Sequence, residues 1–431
     1  MGADTQLIDG LLKDYVPSDE VAEQINNMFP LKDLFKTESE GFSGREVIRA
    51  AKVARNTSPM FVSEDSAFAD AGNQTTVQHR IGQKKIMGRV RLTYEAMHDS
   101  LSSKAAYKSA RKDEMESLVN DIALREEAAL GSDGRGVLAL VNGTASSATQ
   151  TLDAPAGMTG ADWGNRFFQV GMWVGTVNPA SGALVSSSVA KVTSVAAAGT
   201  TIGLSASVSW TDNHYVVQVA NSAVTDVADS SYENAYWGLM ALIDDGTYRD
   251  NYFGVSRATW PSLKSYVKAS TGALSADLYQ QISDVVDQKM GGRITDVCMH
   301  HSLRRQHLQV TESDRRYDGN NLKTVDPTTN AFDQEDLPIG SAKVKALRTF
   351  PLATVAMLDR KNTGFIKYES EKGKWVDEDG SVLVRIGSGT TGRDAFEGWF
   401  RRRLQLFAAK PGKSARMDGV TGQSLIVVQA A

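Results

Sequence analysis

The sequence is short of cysteine, and Cys298 is the single one in 431 residues. One cysteine excludes an internal disulfide, so the chain is not one of the small secreted proteins that disulfides hold together. It is compatible with folding in a reducing cytoplasm. We interpret Cys298 as a small apolar residue of the strand-like run 294–299, because free cysteine is among the residues most often buried.

Positive charge is also in short supply. Lysine and arginine number 47 against 51 aspartate and glutamate residues, which gives a formal net charge of −4 at pH 7. Proteins that hold nucleic acid by neutralising its phosphates need a basic surplus. Any contact with DNA is therefore expected to be weak.

Long apolar runs are missing as well. No stretch approaches the roughly 18 consecutive apolar residues that a membrane-spanning helix needs. The amino-terminal sequence MGADTQLIDGLLKDY has no basic stretch before an apolar core, so it does not match a secretory signal. We expect a soluble protein with no membrane partner, which stays in the compartment where it is made.

Motifs typical of catalysis are scarce. Residues 387–392 match GxGxxG, yet a dinucleotide fingerprint opens a helix, whereas strand-like sequence follows here. His300, His301 and His307 form the densest histidine cluster, but neighbouring residues on a strand point to opposite faces, which argues against a zinc site. We predict that the chain is not an enzyme and has no catalytic, cofactor-binding or metal-binding residues.

What the chain does contain begins with an acidic amino-terminal region. Residues 1–40 carry nine acidic side chains against Lys13, Lys32 and Lys36. Two interpretations stay open, an acidic arm that contacts a partner and an ordinary frayed terminus.

Two strand-like runs follow, 46–55 and 77–93, and they are expected to pair as a hairpin. About twenty residues separate them, which is long for a connection without a function. A two-stranded hairpin is marginal in water. We therefore expect this hairpin to become ordered only by lying on neighbouring copies of the chain.

The second of these runs is basic and contains no acidic residue. Two interpretations stay open, a surface that binds an acidic partner surface, such as the amino-terminal arm of a neighbour, and a solvated face. We select its cations as candidate assembly contacts. The run also contains Arg80, but the selected candidates are Lys84, Lys85, Arg89 and Arg91.

A long helix is predicted over about 104–130, where apolar residues recur at helical spacing before a glycine-rich stop. From 144 to 228 the composition changes to serine, threonine, alanine, valine and glycine, which predicts short strands of an inserted antiparallel barrel or sandwich. The remainder alternates helices and strands. The predicted helices are 260–269, 277–290 and 303–309, the strands are 294–299, 401–407 and 424–429, and 315–335 is a long polar loop.

Four segments carry a resemblance to a known family: LREEAALGSDGRG, LPIGSAKVKALRTFPLATVAMLD, KWVDEDGSVLVRI and FEGWFRRRLQLFAAKPGKSARMDGV. In their order and residue types they resemble the major capsid proteins of tailed bacteriophages with the Hong Kong 97-type fold. The resemblance covers most of the chain, through diffuse patterns rather than one sharp motif.

The resemblance implies an α+β fold with an inserted all-β domain. The implied parts are an N-arm (1–44), an extended E-loop (45–100), a peripheral domain with the spine helix (101–143), the inserted β-rich domain (144–228), an axial domain (229–398) and closing strands of the peripheral domain (399–431).

The resemblance also implies self-assembly into hexamers and pentamers of an icosahedral shell that encloses a double-stranded DNA genome, contacted weakly. The implied location is the virion capsid, assembled in the bacterial host cytoplasm. The expected partners are other copies of the chain, a separate scaffolding protein and a portal, with binding of a decoration protein left open. Some relatives cross-link a lysine to a neighbour's asparagine; we do not predict that chemistry for Lys84 or Lys85.

Two alternatives to the phage shell remain open at this point. One is an encapsulin-like compartment with the same fold, which packaged DNA would distinguish. The other is an α/β nucleotide-binding enzyme that uses the loop 387–392. A megadalton particle without nucleotide affinity would dismiss that enzyme.

Overall fold

The computed structural model describes residue 31 and residues 34–38, 46–64, 67, 69–93, 104–155, 164–197, 199–312, 342–347, 349–376, 384–385 and 395–421. The helices are α1 (Lys104–Leu130), α2 (Leu239–Leu242), α3 (Ala276–Met290), α4 (His301–Glu312) and α5 (Arg360–Thr363). The strands are β1 (Lys36–Glu38), β2 (Glu46–Ala54), β3 (Thr75–Gly82), β4 (Lys84–Thr93), β5 (Val137–Val141), β6 (Ala145–Asp153), β7 (Trp173–Val177), β8 (Leu184–Val195), β9 (Thr201–Trp210), β10 (Tyr215–Gln218), β11 (Asn251–Tyr252), β12 (Val255–Ser256), β13 (Tyr266–Lys268), β14 (Asp296–His300), β15 (Lys343–Leu347), β16 (Val355–Leu358), β17 (Phe365–Trp375), β18 (Val384–Arg385), β19 (Ala395–Ala408) and β20 (Ala415–Met417).

A first five-stranded sheet is built around the long strand β19. One edge of β19 pairs antiparallel with β17 and, further along, with β18. The other edge pairs antiparallel with β4, and β1 adds to β17 in parallel. This sheet therefore joins strands from near the beginning of the chain with strands from near its end.

The long helix α1 packs on this sheet through Val119, Ile122 and Ala123, which contact Phe400 in a small buried core. Gly88 of β4 allows the close approach, because an added Cβ would lie only 2.7 Å from Cδ1 of Ile122. Helix and sheet are also joined by a buried ion network. Arg402 of β19 lies 2.9 Å from Glu126 of α1 and 2.6 Å from Glu369 of β17.

A second five-stranded sheet has the order β13-β20-β16-β14-β15. Its parallel pairs are β13 with β20 and β14 with β15, while β16 runs antiparallel to β14 and β20. Helix α3 packs on it through Leu278, Ile282 and Val286, beside Val297 and Met299 of β14.

Strands β5 to β10 close into a barrel of order β10-β5-β6-β9-β8-β7. Strand β10 completes it by pairing antiparallel with both β5 and β7. The interior is filled by apolar side chains around the fully buried Trp210. The barrel begins at Val137, earlier than the expected boundary at 144, because the apolar run of β5 continues directly into it.

Strand pairing does not follow the expected division between an axial domain (229–398) and closing strands of the peripheral domain (399–431). That boundary falls inside β19. Moreover, β17 pairs with β19 in the first sheet, whereas β20 lies in the second sheet. Hydrogen-bond partners far apart in sequence decide these groupings, and local patterns do not reveal them.

Several sequence predictions of single elements are confirmed. The helix over 104–130 is α1, and the helix over 277–290 is α3, whose N-cap Ser275 accepts a hydrogen bond from the Leu278 amide (3.2 Å). The strand over 294–299 is β14, and the helix over 303–309 is part of α4.

The predicted helix over 260–269 is wrong. Pro261 opens a single 3₁₀ turn that ends at Leu263, and the chain then extends as β13. The predicted loop 315–335, the strand 424–429, the glycine-rich run 387–392 and the amino-terminal residues 1–30 lie outside the described residues. Within the described part of the chain, no helix combines the length and apolarity needed to cross a membrane.

Candidate functional site

The hairpin of β2 and β3 has one face on the body of the protein and one face in solvent. The two strands pair antiparallel, from Glu46 opposite Gly82 to Ala54 opposite Thr75. Val47, His79 and Ile81 point inward and are buried. The residues that alternate with them, such as Ile48 and Arg80, are exposed.

The base of the hairpin is anchored in its own subunit. The Arg80 amide donates to the carbonyl oxygen of Phe253 (2.8 Å), and Nδ1 of His79 donates to that of Tyr252 (3.1 Å). Val47 and Ile81 belong to the large core that also contains Tyr252 and Phe253. The expectation that the whole hairpin is ordered only on neighbouring copies is therefore wrong for its base.

Burial of His79 has an electrostatic consequence. Its ring packs edge-on against Tyr252, with centroids 5.4 Å apart, and lies near Phe407. Burial lowers the pKa of His79 below 6.5; the hydrogen bond to Tyr252 opposes this shift, and Arg257 adds to it. A neutral imidazole therefore suits this site, and protonation destabilises it.

The far end of the hairpin is different, because it exposes large apolar side chains. Met60 is 56% exposed, Val62 is 48% exposed and Phe61 is fully exposed. Ile48, on the outer face, is 59% exposed. Large exposed apolar side chains that lie together mark interaction surfaces. We call residues 58–64 the hairpin tip.

The candidate cations lie on β4, which leaves the hairpin after Gln83 and enters the first sheet. The sequence prediction of one strand over 77–93 is thus wrong, since β3 pairs with β2 and β4 pairs with β19. Lys85, Arg89 and Arg91 share the exposed face of β4 with Met87. Only Arg89 among these three has an ion pair in the described residues, with Glu397 at 3.5 Å.

Lys84 is separated from the other three cations. It is half-buried, and its Nζ donates to the carbonyl oxygen of Glu233 (2.5 Å). Burial lowers the pKa of Lys84, against the opposing effect of the Glu233 carboxylate. The structure therefore brings Lys85, Arg89 and Arg91 onto one face and directs Lys84 into a cavity.

This cavity has a volume of about 570 Å³ and lies where three parts of the protein meet. We call it the base cavity. The hairpin base contributes Arg80, the start of β4 contributes Lys84, and the segment 232–254 contributes most of one wall. Its other lining residues include Arg135 and Tyr215 from the barrel side, and Glu233, Trp237, Arg249 and Phe253.

The charged groups of the base cavity are held in place by hydrogen bonds. Arg249 lies 2.8 Å from Glu233, and its Nη2 is buried without a hydrogen-bond partner among the described residues. Arg135 donates from Nη1 to the Tyr215 hydroxyl and from Nη2 to the Tyr248 carbonyl oxygen, both at 2.8 Å. The lining has four cations, Arg80, Lys84, Arg135 and Arg249, against the carboxylates of Glu233 and Asp250.

Behind the cavity, a buried ion cluster shapes the loop that carries Arg249. The Asp244 carboxylate is fully buried, and it accepts hydrogen bonds from the backbone amides of Gly246, Tyr248 and Arg249 at 2.9 to 3.1 Å. Its charge is balanced by Arg257 at 3.5 Å and Arg416 at 3.2 Å, two buried arginines.

Two members of the histidine cluster contact neighbouring side chains. Nδ1 of His300 lies 2.9 Å from the Ser302 hydroxyl, and the His307 ring packs edge-on against Tyr279. Burial lowers the pKa of His307 to about 4. Among the described residues, no group of three histidine, cysteine, aspartate or glutamate side chains is arranged to hold a metal ion.

Sequence reasoning missed the tip residue Phe61 and the cavity residues Trp237 and Arg249. Phe61 lies in a segment read only as a connection. The cavity wall comes from irregular backbone with no hydrophobic period. The density of tyrosine, tryptophan and arginine in YENAYWGLMALIDDGTYRDNYFG was the available signal.

Comparisons place this architecture among known proteins. No protein-family model matches the sequence, and no curated protein matches it. Among solved structures, the chain is similar to the cyanophage A-1(L) capsid asymmetric unit, with a TM-score of 0.53 and 10% identity over 91% of this chain and 93% of that chain.

Two further similar structures have lower scores. One is of Gordonia phage Cozz, with a TM-score of 0.43 and 10% identity over 91% of this chain and 86% of that chain. The other is the capsid of an empty GTA particle, with a TM-score of 0.43 and 8% identity over 91% of this chain and 89% of that chain. The likeness to the cyanophage capsid structure extends over nearly the whole of both chains, and the chain therefore shares its fold.

Proposed function

We propose that the chain is the major capsid protein of a tailed phage, and that its copies form the hexamers and pentamers of an icosahedral shell around a double-stranded DNA genome. The fold supports a structural role. The single observation that carries the proposal of self-association is the hairpin tip, where Phe61 and its neighbours lie exposed at the end of an anchored arm. Large apolar side chains exposed together in this way are typical of an interaction surface.

The parts of the proposed Hong Kong 97-type fold follow the strand pairing. The E-loop corresponds to β2 and β3 with the tip between them, and α1 is the spine helix. The first sheet belongs to the peripheral domain and the second sheet to the axial domain, while the barrel is the inserted domain. Residues 1–44 are the proposed N-arm.

Modest contacts suffice for such a shell. Each copy contacts several others at once. Once one contact has formed, the next one forms at a high effective concentration, so contacts that are weak individually produce a stable particle. A net charge of −4 fits an inner wall that contacts DNA weakly. We further propose a separate scaffolding protein and a portal as partners, the virion capsid as location and the bacterial cytoplasm as the place of assembly.

The test uses the purified full-length protein, analysed by sedimentation velocity and electron microscopy. Wild-type protein is expected to form shells. Phe61→Ser is expected to remain folded and to sediment as small oligomers, because the exposed side chain that docks on a neighbour is gone.

Val170→Ser is the matched control, since Val170 is an apolar side chain of the barrel region that is 67% exposed. It should assemble normally. A wild-type protein that stays monomeric under all assembly conditions would contradict the proposed function. If both variants assembled equally well, the hairpin tip would no longer support the proposal of self-association.

A further inference from the structure

The walls of the base cavity carry more positive than negative charge. Its four cationic side chains outnumber its two carboxylates. One carboxylate, that of Asp250, is already bonded to the Ser256 hydroxyl (2.9 Å) and the Ala258 amide (2.7 Å). The cavity volume of about 570 Å³ lies within the range of about 300–1,000 Å³ that is typical of sites for small molecules. A small anion is the class of ligand that such walls fit.

Arg249 is held in a fixed position on the cavity wall. Its Nη1 lies 2.8 Å from the Glu233 carboxylate, and its Nε donates to the Asp133 carbonyl oxygen (3.4 Å). The guanidinium lies 5.3 Å from the centroid of Trp237, which in turn stacks on Phe253 at 4.2 Å, so this wall has no slot between its rings. Only Nη2 is left, buried and without a hydrogen-bond partner among the described residues. A buried donor of this kind is costly unless an acceptor from outside the chain meets it.

Two further cations of the cavity have donors to spare. An ammonium group has three N–H donors, and Lys84 uses one of them on the Glu233 carbonyl oxygen (2.5 Å). Burial lowers the pKa of Lys84, the Glu233 carboxylate raises it, and the positive charge of Arg249 lowers it further. An anion near Lys84 and Arg249 would relieve this repulsion. Arg80, exposed at the rim, has no side-chain hydrogen bond or ion pair among the described residues.

The fourth cation, Arg135, adds charge without a free terminal nitrogen, because Tyr215 and Tyr248 accept from both. The available donors therefore come from three segments, namely β3, the start of β4 and the loop that carries Arg249. A phosphate monoester presents three acceptor oxygens and a charge of about −1.5 to −2 at neutral pH, whereas a carboxylate has two oxygens and one charge. Arginine and lysine are the side chains that proteins use to bind phosphate.

We propose that the base cavity binds the phosphate group of a small molecule through Arg80, Lys84 and Nη2 of Arg249. The cavity is larger than an inorganic phosphate ion requires, so the phosphate of a small organic molecule fits as well as the free ion. The bound phosphate ties β3 and β4 to the segment 232–254 of the same subunit. It thus stabilises the base of the hairpin, a role separate from the contacts between copies in the proposed shell.

The binding test uses isothermal titration calorimetry on the purified full-length protein, at constant ionic strength. The probes are inorganic phosphate, glycerol 3-phosphate and acetate. Both phosphates are expected to bind and acetate is not. Tighter binding of glycerol 3-phosphate would support an organic phosphate as the ligand, and equal affinities would support the free ion.

Variants locate the site. Arg80→Gln and Lys84→Gln are each expected to weaken phosphate binding about tenfold, because each removes one charge-assisted hydrogen bond. Arg91→Gln is the matched control, since Arg91 is an exposed cation of β4 that does not line the cavity, and it should bind like wild type. Arg80 is exposed, so Arg80→Gln should unfold at the wild-type temperature even if Lys84→Gln proves less stable.

Hydrogen exchange tests the stabilising role. The amide of Arg80 donates to the Phe253 carbonyl oxygen (2.8 Å) at the base of the hairpin. Phosphate is expected to slow exchange of this amide in wild type and in Arg91→Gln, since a ligand of the folded base opposes its opening. In Lys84→Gln the effect of phosphate should be much smaller.

Three outcomes would overturn the proposed phosphate site. The first is wild-type protein that binds neither phosphate, and the second is acetate binding as tightly as phosphate. The third is equal phosphate affinity of Arg80→Gln and Arg91→Gln, which would place any bound phosphate elsewhere on the protein. Shells formed by the wild type would leave the proposed function intact in all three cases.

Discussion

The barrel and the hairpin are both built of antiparallel strands, yet they meet the demands of a β-structure in opposite ways. The barrel closes its hydrogen bonding through β10 and buries its own core around Trp210. The hairpin is a two-stranded sheet among the described residues; it shares a core with Tyr252 and Phe253, and it leaves Phe61 in solvent. Closed pairing supplies one region with its own core, while the other takes its core from the rest of the subunit at its base and, in the proposed shell, meets further copies at its tip.

The strongest way to break this comparison is to separate the two regions. The ends of the barrel lie together, since the Ser231 hydroxyl donates to the Gly136 carbonyl oxygen (2.7 Å). A fragment of residues 136–232 is expected to fold cooperatively, and a peptide of residues 46–82 is expected to be unfolded in water. Circular dichroism with thermal melts measures both. A barrel fragment without a cooperative transition would show that the barrel also needs the rest of the subunit in order to fold.

A core substitution sharpens the comparison within the intact chain. Trp210→Ala is expected to lower the free energy of unfolding by about 3–5 kcal/mol, because it leaves a cavity in the closed core and removes the hydrogen bond from Nε1 to the Ser188 carbonyl oxygen (2.9 Å). Phe61→Ala should change it by no more than about 0.5 kcal/mol. Urea titrations monitored by fluorescence measure the free energy of unfolding of both variants. Similar decreases would mean that Phe61 is packed against the protein in solution.

The hairpin base should respond to pH. Since the pKa of His79 is below 6.5 in the folded protein, the opened base binds a proton more readily, and its stability falls as the pH drops from 6.5 towards the folded-state pKa. Hydrogen exchange of the Arg80 amide, corrected for intrinsic rates, is expected to show less protection at pH 5.5 than at pH 7.5. In His79→Gln this difference should vanish, and its persistence would assign the effect to another group.

The smallest expected effect concerns the exposed face of β4. Reversing Lys85 and Arg91 to glutamate is expected to weaken assembly by a few-fold at low ionic strength and not at high salt, where exposed charges are screened. Shell yield as a function of salt concentration measures this. Val170→Glu is the control for an added surface charge, and a defect that does not depend on salt would speak against an electrostatic contact.

Local patterns predicted the elements well where one period dominates. Helices α1 and α3 followed from apolar spacing and glycine stops, and the strands of the barrel region from turn residues between apolar runs. The basic run was recognised, but its division at Gln83 was not, because β4 leaves the hairpin for β19, about 300 residues away. The base cavity is formed mainly by irregular segments, whose sequences have no hydrophobic periodicity from which it could be predicted.

The pairing of β4 with β19 also governs when a subunit becomes complete. The strand that adjoins the hairpin finds its partner only once residues 395–404 have been synthesised. Contacts so distant along the chain make folding slow, since a long loop must close before they form. Premature chains therefore emerge from the ribosome with β4 unpaired and the base cavity lacking Gln405, one of its lining residues. A chain that stops before residue 395 is therefore expected to lack both the paired β4 and the complete cavity.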